Sequence, residues 1–183
     1  MNTNKTPLSS LDLAALRSHN APGDLIEKWE SAFGNRAVEL NPSGWRQILQ
    51  AGLASLAGWL YQTTGQRANM RGLAWYSANL VNANLRGADL YGAYLEDAKM
   101  YGVDLSDALL KRVVLDGADL SDACLRNANM RYAKMTYATL SGALMDGADL
   151  TDAVLRHVEL DSVMMSGAIL EGVIFTEAKL SGP

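Results

Sequence analysis

From Ala68 to Leu180 the chain repeats a small and a large apolar residue, two positions apart, every five residues. Stepping by five from Met70 to Leu180 meets 15 Leu, 6 Met, Trp75 and Phe175, and nothing polar. Two positions before these centres stand 17 Ala, 5 Val and Leu73. The phase never slips. An α-helix does not fit, because five residues turn about 500° and scatter the large side chains around the cylinder. A flat strand does not fit either, because five is odd and alternate centres would face opposite sides. Yet a pair two apart lies on one face of an extended segment. A short extended segment followed by a corner, repeated, satisfies both conditions. Such a chain winds into a solenoid whose stacked coils bury a continuous core.

The units "ANLVN", "ANLRG", "ADLYG", "ADLSD" and "ADLTD" resemble the pentapeptide-repeat family, whose pattern is A(D/N)LXX. The resemblance covers residues 68–183. It implies a mainly β fold, a right-handed quadrilateral parallel β-helix with four units per coil. The core would then be built on Leu80, Leu85, Leu90, Leu95, Met100, Leu105, Leu110, Leu115, Leu120 and Leu125. Just under six coils at roughly 4.8 Å each give a rod about 27 Å long. Glycine two places after many centres, as in Gly87, Gly92 and Gly142, suits the backbone of a corner.

Residues 1–67 lack the period and form a separate N-terminal α-helical region. "SSLDLAALRSH" reads as a short helix capped by Ser9 or Ser10. "DLIEKWESAFG" reads as a second, with Asp24 as N-cap, Glu27 three later and Gly34 as a stop. "NPSG" reads as a break. "WRQILQAGLASLAGWLYQ" then carries Trp45, Leu49, Leu53, Leu56 and Leu60 at helical spacing. An open solenoid end exposes unpaired strand edges, so this helix is expected to cover the first coil. A partner-binding or membrane-contacting helix is the alternative. Arg46 is its one cation, which disfavours a lipid surface. The polar start "MNTNKTPLSS" shows no leader, and no apolar stretch is long enough to span a membrane.

Ladders of residues twenty apart stack on the outside of such a rod. One reads Tyr94, Val114, Lys134, Val154, Ile174; another reads Asn84, Asp104, Cys124, Leu144, Met164. Tyr94, Val114, Val154, Ile174, Leu144 and Met164 are therefore the candidate interface. The C-terminal end, finishing in "KLSGP", is a second candidate for self-association. The carboxylates Asp97, Asp104, Asp107, Asp116, Asp119 and Asp122 lie on different faces, and Asp or Asn before the centre suits turn hydrogen bonds. His19 and His157 are far apart in sequence, and Cys124 is the one cysteine, so no intrachain disulfide can form. No nucleophile–base pair or metal-ligand spacing appears. The expectation is a non-enzyme with no cofactor and no metal. A net charge of −4 makes direct nucleic-acid binding a poor expectation.

Three functions fit. The first is a protein-interaction scaffold, its partner unidentified or a second copy. The second is a topoisomerase-protecting DNA mimic, a role the resemblance brings in. Against it, residues 68–183 carry 15 acids and 10 bases, a net −5, with Lys111, Arg112, Arg126, Arg131 and Lys134 in the middle. Those mimics are also commonly Phe-centred, and Phe175 is the one Phe centre here. The third is a secreted bacterial effector with an N-terminal targeting region; otherwise a cytoplasmic location is expected. A charge in the rod has no interior partner. Leu120→Asp should therefore cost several kcal/mol, read as a lower urea midpoint by circular dichroism.

Overall fold

The computed structural model describes residues 8–179. The polar start 1–7, the centre Leu180 and the terminal Pro183 lie outside the described residues. From Asn69 to Glu159 every residue just before a centre forms a parallel bridge to the residue twenty positions on, as in Asn69 with Asp89 and Tyr94 with Val114. Twenty residues per coil means four units per coil and four faces. Each face is a ladder of single bridges.

Within a unit four of the five backbone N–H groups have a recurring backbone destination. The centre donates to the next coil, as Leu80 N–H does to the Lys99 carbonyl at 2.7 Å. The residue two after the centre does the same, as Asn82 to Tyr101 at 2.8 Å. The following small residue closes a tight turn, Ala83 N–H to the Leu80 carbonyl at 3.0 Å. The next donates back to the previous coil, as Asp104 to Ala83 at 3.0 Å. That leaves the residue one after the centre. Where Asp or Asn precedes the centre, its side chain accepts this last N–H: Asp89 from Tyr91 at 3.2 Å, Asp104 from Ser106 and Asp119 from Ser121 at 3.0 Å. The A(D/N)L consensus thus solves a backbone-satisfaction problem.

The corner residue two after each centre is left-handed in every unit from Gly72 to Glu177. Glycine, asparagine and aspartate tolerate that region. Arg112, Tyr132 and Tyr137 occupy it with φ of 62°, 59° and 61°, at a cost of about 1–2 kcal/mol each. The centres and small residues point inward. Leu80 through Leu125 are all essentially buried, and Leu120 is fully so.

The N-terminal region departs from expectation in several places. Ser10–Leu11 is a short strand, β1, paired antiparallel to β2, Val38–Glu39. The first helix, α1 (Leu13–Ser18), is capped by Asp12, which accepts the Ala15 N–H at 2.7 Å, and not by Ser9 or Ser10. Pairing of Leu11 with Val38 takes Ser10 into the strand. α2 spans Gly23–Phe33 with Pro22 at the N-cap, so Asp24 lies in the first turn and the box with Glu27 does not form. Gly34 ends it as expected. "NPSG" is a helix start: Asn41 accepts the Gly44 N–H at 2.9 Å and Pro42 opens α3, Pro42–Gln50. The single long helix expected after it is two. A left-handed turn at Gly52 separates α3 from α4, Leu56–Thr64.

Trp45, Leu49, Leu53, Leu56 and Leu60 are buried, in one apolar cluster continuous with the rod. α4 meets the fourth face of the first coil backbone to backbone. Gly58 N–H donates to the Asn84 carbonyl at 3.1 Å, and Asn84 N–H donates to Ser55 Oγ at 3.1 Å. Arg67 donates to the carbonyls of Gly87 and Asp107. A methyl group on Gly58 would strike the Asn84 side chain. Gly58→Ala should cost about 1–3 kcal/mol by overpacking, measured by urea denaturation.

Candidate interaction surface

The ladder Ala74, Tyr94, Val114, Lys134, Val154, Ile174 forms the second face and is bridged as the sequence predicts. Its members differ in exposure. Tyr94 and Ile174 are open to solvent, whereas Val114 and Val154 are half-buried. On the fourth face Met164 is exposed and Leu144 half-buried. The six candidate residues therefore lie on two different faces. The second face is also distinctive by what precedes its centres. The other three faces carry Asp or Asn at some of these positions, and the second carries neither. It gives up the side-chain acceptor that the turn would use. In one unit a neighbour compensates, Asp116 accepting the Thr136 N–H at 2.7 Å.

The corner leading into this face is cationic and aromatic. Tyr91, Gly92, Tyr94, Arg112, Val114, Tyr132 and Lys134 line a groove of about 500 Å³. Tyr132 is the hub. Lys111, Arg112 and Arg131 stand 5.7, 5.6 and 5.7 Å from its ring centre. Arg71 lies 4.5 Å from the ring centre of Tyr91. Tyr76 extends the aromatic surface, 6.4 Å from Tyr94. The corner on the far side of the same face carries Glu96, Asp97 and Asp116. One bank is basic and the other acidic. Sequence reading singled out the central bases and the ladder separately. It missed that Arg112 and Tyr132 lie beside Val114 and Lys134, although offsets of two and twenty residues contain that information.

The remaining polar residues serve the rod. Asp149 accepts the N–H and hydroxyl of Thr151 at 3.0 and 2.6 Å, and lies 3.3 Å from Arg131. Burial works against its charge, but Thr151 and then Arg131 outweigh that and hold it below the usual carboxylate range. Arg131 is in turn held charged first by Tyr132 and then by Asp149. His157 stacks on Tyr137 at 4.7 Å and lies 3.2 Å from Glu177. Among the carboxylates crowded between Asp97 and Asp122, Asp104 and Asp119 close turns as the sequence implies, and Asp107 pairs with Arg86 at 2.8 Å. Among the described residues no group of His, Cys, Asp or Glu could hold a metal ion, and no helix is long and apolar enough to cross a membrane.

The last described coil is open. Leu170 and Phe175, in line with the fully buried centres Leu150 and Leu155 one coil earlier, are 40% and 41% exposed. Met164, Ile169 and Ile174 stand beside them, also exposed. At the other end, Met70 is 1% exposed and Trp75 half-buried.

The family model for pentapeptide repeats matches eight copies between residues 66 and 182. The chain belongs to the pentapeptide-repeat family. Among solved structures, this pentapeptide-repeat chain is similar to one from the cyanobacterium Cyanothece, with 23% identity and TM-score 0.60, covering 68% of this chain and 97% of that one. A pentapeptide repeat protein of the Arabidopsis thaliana thylakoid lumen is 31% identical over 48% of this chain and 61% of its own, with TM-score 0.47. One from the cyanobacterium Nostoc is 31% identical over 45% and 84%, with TM-score 0.42. A comparison with curated sequences finds no match.

Asp149 carries a pH prediction. Its folded value is depressed, so its stabilisation is present above the unfolded value of about 3.9 and is lost as pH falls through the folded value. Asp149→Asn should lower the melting temperature at pH 7. The gap to the native chain should narrow below about pH 4, as seen in thermal melts across pH.

Proposed function

We propose that this protein is a non-enzymatic interaction scaffold: a rigid rod whose N-terminal helices cap one end and whose outer faces and far end bind protein. The exposed apolar group on the last described coil carries the reading. Leu170 and Phe175 are exposed centres, and Met164, Ile169 and Ile174 are exposed on three outer faces of the same coil; uncovered apolar side chains of this kind mark a protein interface. The cap assignment draws support from α4, which occupies the edge that a preceding coil would otherwise fill at Asn84. A second copy is the simplest partner for the far end, since isologous contacts need one surface.

A polyanion mimic needs a surface of one sign. The corner with Lys111, Arg112 and Arg131 is positive, which favours the scaffold over the topoisomerase-protecting reading. Light scattering of the full chain should give about twice the 19.7 kDa monomer mass. Ile174→Glu with Phe175→Glu should return it to the monomer. A native chain that stays monomeric at high concentration would remove the end surface from this reading.

A further inference from the structure

We infer that the groove between the basic corner and the second face, from Tyr91 to Lys134, is a docking site for an extended acidic peptide segment of a partner protein. This rests on the scaffold reading and names the partner chemistry of one face. Three independent observations meet there. The lining contains Arg112 and Lys134 and no carboxylate, on a chain whose net charge is −4. The floor is apolar and aromatic, from Tyr94, Val114 and Tyr132. And two of the lining residues, Arg112 and Tyr132, sit in the left-handed corner conformation that glycine or asparagine fills at many other corners. Ser77, Tyr137, His157, Ser162 and Glu177 hold the same conformation elsewhere, so it is the charge and the apolar floor that single out the groove.

The second face strengthens the point, since it also forgoes the Asp or Asn that would complete its turns. Charge complementarity chooses the occupant. Carboxylates two apart in an extended peptide point to one side, where the basic corner can meet them. The intervening side chains lie on Tyr94 and Val114. The groove crosses from the coil of Tyr91 to that of Lys134, two coil spacings of about 4.8 Å, which about three extended residues span. A nucleic acid presents negative charge continuously and would meet Glu96, Asp97 and Asp116 on the opposite bank.

The test uses the full chain and a fluorescein-labelled hexapeptide of alternating glutamate and leucine, followed by fluorescence anisotropy. Saturable binding is expected, weakening as salt is raised. The matched glutamine–leucine peptide should bind about tenfold more weakly or worse, a step of about 1.4 kcal/mol. Arg112→Asn with Tyr132→Asn should weaken the acidic peptide by at least about tenfold. Because asparagine suits the left-handed corner, the same variant should melt no lower than the native chain. No saturable binding overturns the inference, as does a variant that binds undiminished. A variant that melts several degrees lower also overturns it, since Arg112 and Tyr132 would then be serving the rod. Equal binding of a short oligothymidylate overturns it in favour of a general polyanion site. A chain that fails these tests yet still dimerises through its far end leaves the scaffold reading intact. One that binds peptide but stays monomeric loses only the end surface.

Discussion

Everything in the rod depends on how five backbone N–H groups are satisfied in each five-residue unit. Two reach the next coil, one reaches the previous coil and one closes the turn. The last has no backbone acceptor, and Asp or Asn before the centre supplies one. This is why a repeat defined by its apolar pair also carries a polar letter. An amide without a partner is costly when it is buried, and Asp or Asn removes that cost in the units where it precedes the centre. The apolar pair then fills the interior with side chains that need no polar partner, as the full burial of Leu95, Leu105 and Leu120 shows.

The rod was legible because each rule repeats. The Ala–x–Leu spacing demands corners, and the twenty-residue bridges follow from four units per coil. The N-terminal region was less legible because each of its decisions is made once. Asp12 and Ser10 are both good caps by type; pairing of Leu11 with Val38, distant in sequence, decides between them. Asn41 and Pro42 read equally as a break or as a helix start. The apolar spacing through Leu53 runs on across Gly52 as if the helix continued, and only the left-handed turn there reveals two helices. Helices stand where helical spacing was read, but the β1–β2 pair has no counterpart in that reading and "NPSG" is a helix start rather than a break.

The candidate surface was half legible. The ladder through Tyr94 and Val114 could be counted from the period together with the four units per coil that the family resemblance implies. The groove could not, because it joins that ladder to a different one, through Tyr91, Arg112 and Tyr132. Function on such a rod is a two-dimensional pattern. One axis runs along the chain within a unit, and the other runs across coils. Reading either axis alone finds residues but not the surface they make.

That pattern is indexed by the count of units before it. Ladders form only between residues twenty apart. A deletion of one whole unit ahead of Tyr91 would leave every apolar pair and every corner intact. It would also turn all later ladders by a quarter revolution relative to the helices packed on Asn84. The rod would lose nothing as a fold, while the groove would face a new direction from its cap. In this architecture the address of a surface is an integer, and small changes in length can redirect it without weakening the structure that carries it.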